Sequence, residues 1–114
     1  MNIVNAVWKL PDAIDLCRLV EDKLAPLGAH VALGGGCMKL GYSYKDLDLF
    51  IYPHCLGGTP VSCEPLVEAL RKLGFEGFAN RGWSHTCTTG DHKDVRSSVW
   101  NGKRVDIFFL DFLK

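Results

Sequence analysis

Residues 33–49 read LGGGCMKLGYSYKDLDL, a triple glycine followed about ten residues later by two aspartates that flank a single leucine. Side chains alternate faces along an extended strand, so Asp46 and Asp48 share one side while Leu47, Leu49 and Ile51 share the other. The run 46–52 therefore predicts a half-buried strand, closed by Pro53. Two neighbouring anions on such a strand repel each other and raise the pKa of at least one, a penalty that a hard divalent cation removes. An Asp-x-Asp pair alone is most often two solvated charges on a strand edge. The glycines upstream give this pair its context, because they let backbone N–H groups and the start of the following helix come close to phosphate oxygens.

Working outward, residues 30–33 form a short apolar run entering the glycines, and residues 37–40 predict a brief helical turn after them. Residues 11–27 open with Pro11 and Asp12 and space Ile14, Leu16, Cys17, Val20 and Leu24 as one face of an amphipathic helix, with Asp12 or Asp15 favouring its first turn. Residues 63–73 repeat the helical pattern through Leu66, Val67, Leu70 and Leu73, and Gly74 supplies a stop. The segment 75–89 fits neither period. Residues 95–100 and 103–110 flank Asn101-Gly102, a strong short hairpin signal because both residues tolerate the positive φ of a type I′ turn. In the last strand Val105, Ile107 and Phe109 take one face and Asp106 the other, among apolar neighbours. A lone carboxylate there needs a partner. If this strand lies beside the first, Asp46, Asp48 and Asp106 converge as oxygen ligands for magnesium.

The composition agrees with one globular domain spanning 1–114. Thirteen basic and thirteen acidic side chains cancel, so a nucleic-acid contact would need a local patch. Five cysteines, at 17, 37, 55, 63 and 87, form neither a CxxC motif nor an even set, which points to reduced thiols in a cytoplasm-like compartment. The longest uncharged stretch is broken by proline and glycines, so no membrane span and no secretory leader is expected.

At this point the run 33–49 resembles the signature of the DNA polymerase beta nucleotidyltransferase superfamily: a hydrophobic residue, a glycine pair, then Asp-hydrophobic-Asp-hydrophobic and a later acidic residue on a strand. Gly35 and Gly36 match the glycine pair, Asp46 and Asp48 the paired metal ligands, and Asp106 in RVDIF the third. The resemblance covers most of the chain. It implies an α+β fold with a mixed, mainly antiparallel sheet packed against helices and ending in a hairpin. It further implies one or two Mg2+ ions, an NTP donor with ATP foremost, and transfer of a nucleoside monophosphate to an acceptor hydroxyl with pyrophosphate release. Members often carry Ser after the first glycine; here the phosphate contact would fall to backbone amides or Ser43, with Lys39 and Lys45 available to neutralise charge. Members also usually carry a further helical domain that grips base and acceptor. Acceptor binding is therefore expected from a second copy, a partner chain or the loops. The alternative is a non-catalytic nucleotide-binding or protein-interaction module, such as one half of a toxin-antitoxin or other two-component system.

Several other residues have plainer readings. His85, Cys87 and His92 lack a fourth ligand and the spacing of a zinc site, and read as loop residues. Trp83 and Trp100 read as sheet packing, Cys37 as a small buried thiol, and Asp111 as a surface charge. Valine at Gly35 or Gly36 is expected to block the triphosphate while leaving the carboxylates in place.

Overall fold

The computed structural model describes residues 6–54, 62–86 and 91–110, with 81–86 and 91–93 described as backbone only. In chain order the elements are β1 (Trp8–Lys9), α1 (Leu10–Leu24), β2 (Ala29–Gly34), α2 (Gly35–Leu40), β3 (Tyr42–Ser43) and β4 (Asp46–Pro53), followed by α3 (Glu64–Leu73), β5 (Glu76–Thr86), β6 (Asp91–Trp100) and β7 (Lys103–Leu110). A 3-10 turn over Ala25–Leu27 links α1 to β2. Five strands form one sheet in the order β2-β4-β7-β6-β5, in which β4 and β7 run parallel and every other neighbouring pair is antiparallel. This is the mixed, mainly antiparallel α+β architecture that the resemblance implies, with the C-terminal hairpin that Asn101-Gly102 predicts.

Alternation divides the two central strands cleanly. Leu47, Leu49 and Ile51 of β4 and Val105, Ile107 and Phe109 of β7 are fully buried on the helix side. Against them pack Ala13, Leu16, Val20 and Leu24 of α1 and Leu66, Val67, Ala69 and Leu70 of α3. At roughly 1.5–3 kcal/mol for each large apolar side chain removed from water, this layer is the main source of stability. One expected core position is displaced: Ile14 is 39% exposed, and Ala13 takes its place. The phase of α1 is set by the Ala13, Leu16, Val20, Leu24 stripe, which turns Ile14 outward to line an apolar groove with Cys17, Leu33 and Met38.

The other details follow from local chemistry. Gly74 ends α3 in a positive-φ conformation, its N–H meeting the carbonyls of Leu70 and Arg71. Asn101 and Gly102 both have positive φ at the β6–β7 turn, as a primed hairpin turn requires. The segment that fits no period is β5, whose pairing with β6 shifts register between Gly77 and Ala79 and again between Asn80 and Gly82. Phe78, at φ 56, sits at the first irregularity and is buried. On the helix side of β6, buried Asp94 accepts bonds from Arg96 Nε (3.2 Å) and Nη2 (3.0 Å), and Arg96 Nη2 also reaches Glu64 at 2.7 Å, which fastens the start of α3 to the sheet. Along β2, which ends the sheet, Glu21 accepts the Val31 N–H at 3.0 Å. Among the described residues no helix is long and apolar enough to cross a membrane.

Candidate metal centre

The parallel register of β4 and β7 puts Asp48 beside Asp106 and Asp46 beside Arg104, on the sheet face away from α1 and α3. Each of Asp46, Asp48 and Asp106 offers an oxygen, and these oxygens all lie within 4.8 Å of one another. Asp46 and Asp48 are half-buried and Asp106 is 8% exposed. The three carboxylates named from the sequence thus meet.

Their protonation is set by crowding. Burial, followed by the charges of Asp46 and Asp106, raises the pKa of Asp48, with Arg104 opposing. Burial and then Asp106 also raise Asp46, against Arg104 and Lys45. Burial acts to raise Asp106 too, but hydrogen bonds from Ser97 and Arg104 outweigh it and hold this carboxyl below the ordinary range. The Asp46 and Asp106 carboxyls act on each other, so their titrations are linked, with Asp46 pushed up and Asp106 held down. Three crowded oxygen donors, two half-buried and one buried, only partly balanced by Arg104 and Lys45, fit a hard divalent cation such as Mg2+.

Gly35 is the other close member. Its φ is +67, and a Cβ there would overlap Asp48 Oδ2. The expectation that valine at this position would spare the carboxylates is therefore wrong for Gly35, since a side chain would push directly on Asp48. Gly36, in the first turn of α2, has open space where a Cβ would stand. Ser43 lies in the approach to β4, where its Oγ accepts the Lys45 N–H at 3.3 Å. Lys45 is exposed and close enough to act on Asp46 through its charge. Lys39 is exposed in the last turn of α2, at the end opposite Gly35.

Three residues of this neighbourhood had no role in the sequence reading. Arg104 donates from Nε to Asp106 Oδ1 (3.2 Å) and from Nη2 to Oδ2 (3.4 Å), and lies 3.9 Å from Asp46. Ser97 Oγ donates to Asp106 Oδ1 at 2.9 Å. Buried Trp8 donates its Nε1–H to the carbonyl of Arg104 at 3.0 Å, fixing the backbone beneath that side chain. Two of these were within reach of the sequence. Arg104 and Asp106 share a strand face by alternation, and a two-residue turn at 101 and 102 pairs 97 with 106. The partner that Asp106 needs is thus supplied within the chain, by Ser97 and Arg104.

The remaining candidates stay outside. Trp100 packs its ring 4.9 Å from Phe75, and Cys37 is a buried thiol pushed upward in pKa by burial. The backbones of His85 and His92 pair across β5 and β6. Their side chains and that of Trp83, together with Cys87 and Asp111, lie outside the described residues.

No protein-family model and no curated protein sequence matches this chain. Among solved structures, the Cid1 poly(U) polymerase, with magnesium and 3′-dATP bound, is similar with a TM-score of 0.52 and 21% sequence identity. The match covers 87% of this chain and 29% of the polymerase chain, so the chain spans under a third of that protein's length. The fold of this chain is thus similar to part of that polymerase's fold, and three carboxylates meet on its central strands.

Proposed function

We propose that this chain is a metal-dependent nucleotidyltransferase domain that moves a nucleoside monophosphate from an NTP, ATP foremost, to an acceptor hydroxyl and releases pyrophosphate. The observation that carries this reading is the convergence of Asp46, Asp48 and Asp106 beside the Gly35 turn. Asp46 and Asp48 would hold one Mg2+, and Asp106 would share a second with them. Bound magnesium would neutralise the triphosphate and acidify the acceptor hydroxyl.

The chain's own residues do the rest. Asp106, whose pKa is held down against burial by Ser97 and Arg104, is ionised and so free of a proton at neutral pH, and by the resemblance it is the carboxylate that would take the acceptor's proton. The acceptor oxygen bonds to the α-phosphorus, the bond from that phosphorus to the β-phosphate oxygen breaks, and the electron pair leaves with pyrophosphate. Backbone amides around Gly35 and Gly36 bind the triphosphate, with Lys45 adding charge; Lys39 and Ser43 contribute from farther out. Such transfer depends mainly on positioning and charge. A second copy, a partner chain or the loops would grip the acceptor.

One observation favours a second reading. Arg104 already neutralises part of the cluster, as it would in a non-catalytic module that keeps the fold without a metal. Magnesium-dependent pyrophosphate release from an NTP in the presence of cell extract separates the two. The catalytic reading expects release that falls by at least about 10²–10⁴-fold in Asp106→Asn. A folded protein with no release, or with release indifferent to Asp106→Asn, would sink it.

A further inference from the structure

The contacts of Arg104 bear on how a cation would enter the cluster. Its guanidinium engages both oxygens of Asp106, at 3.2 and 3.4 Å, lies 3.9 Å from Asp46 Oδ2 and reaches Ser97 Oγ at 3.4 Å. The carboxylate oxygens that it neutralises belong to the set that would ligate a metal. An Asp106 oxygen held by a charge-assisted N–H bond has less charge to offer a cation, and two like charges in one half-buried space repel.

We propose that Arg104 is the built-in counterion of this cluster, holding the carboxylates together when no cation is bound and yielding Asp106 and Asp46 when one enters, so that it sets how tightly metal binds. This rests on the reading of Asp46, Asp48 and Asp106 as a metal site. Two features make the exchange feasible. The Arg104 side chain is 37% exposed, so it can leave without breaking the core, while the Trp8 bond holds its backbone in place. Beside it runs an open trough of about 450 Å³ lined by Gly77, Ala79, Ser97 and Val99, into which the released guanidinium can turn.

The test is calorimetric titration of Mn2+ and Mg2+ into wild type and Arg104→Gln, with thermal melts in EDTA. The variant should melt below wild type in EDTA yet bind the cation roughly three- to tenfold more tightly, the scale of a partly exposed charge-assisted contact. Equal or weaker binding by the folded variant, with wild type binding normally, overturns the counterion role alone. Absence of binding in both overturns this inference together with the metal reading beneath it. Should Arg104→Gln not fold, the wild-type Arg104 Nε–H signal in NMR carries the test. A saturating cation should shift it and speed its exchange with water, and an unmoved signal refutes the exchange.

Discussion

A Cβ at Gly35 would overlap Asp48 Oδ2, whereas one at Gly36 would meet open space. Gly35→Ala should therefore lose about 1–2 kcal/mol from its left-handed backbone alone and weaken Mn2+ binding by displacing Asp48. Gly36→Ala should keep metal affinity and hold or gain up to about 1 kcal/mol of stability, since alanine suits a helical turn better than glycine. Melts and calorimetry on the two variants check this, and matching effects would remove Gly35 from the site. The aspartates also separate by sign. The raised pKa of Asp48 means that the fold prefers it protonated, so its contribution is full at acid pH and is lost as pH rises through the folded value. Asp106 is lowered, so its contribution is present above the ordinary carboxylate pKa and is lost as pH falls through its folded value. In EDTA at pH 7, Asp48→Asn should raise Tm by an amount on the order of 4 °C and Asp106→Asn should lower it, with the first gain vanishing near the ordinary carboxylate pKa of about 3.9. Relief of repulsion on neutralising Asp106, which a partnerless carboxylate would give, is not expected once Ser97 and Arg104 hold it. Melts across pH showing both variants moving the same way would contradict this assignment.

The β6–β7 hairpin brings Ser97 opposite Asp106, and its register comes from two turn residues with positive φ. Gly102→Val should cost about 1–2 kcal/mol by that strain, read as a lower urea midpoint with an unchanged m value. This turn was legible from Asn-Gly, and the β4 and β7 faces from alternation, which sets Asp46, Asp48 and Asp106 opposite Leu47, Leu49, Ile51, Val105, Ile107 and Phe109. The two α-helical stripes were legible too, apart from the phase of α1, where Ile14 and Ala13 exchange places because packing on the sheet decides between adjacent apolar positions. Strand β5 was not legible, because two register shifts around Phe78 and Gly82 break the period that identifies a strand. Arg104 was missed for another reason. Alternation gives its face, but whether a long side chain folds back onto a carboxylate or extends into solvent depends on neighbours from other elements. Trp8 shows the same dependence, since its bond joins positions 96 residues apart. Trp8→Phe should keep the core filled, cost about 1 kcal/mol for the lost hydrogen bond, and lower Tm with little change in Mn2+ affinity.

Over the whole molecule, one hydrophobic layer between the sheet and α1 and α3 leaves the opposite face of β4 and β7 free to carry charge. Burial of Leu47, Leu49, Ile51, Val105, Ile107 and Phe109 fixes two adjacent parallel strands, and that rigidity holds three mutually repelling carboxylates together. The glycine turn and the Asp-x-Asp strand indicated this arrangement, and the likeness to the poly(U) polymerase extends to the fold. The central claim is nucleotidyl rather than phosphoryl transfer. It is tested most directly by incubating the chain, Mg2+ and cell extract with ATP labelled either at the α- or at the γ-phosphate. The account predicts that the α label passes to an acceptor and the γ label leaves as pyrophosphate, both requiring Mg2+ and both lost in Asp48→Asn. Transfer of the γ label to the acceptor, or α transfer that persists in folded Asp48→Asn, would contradict it.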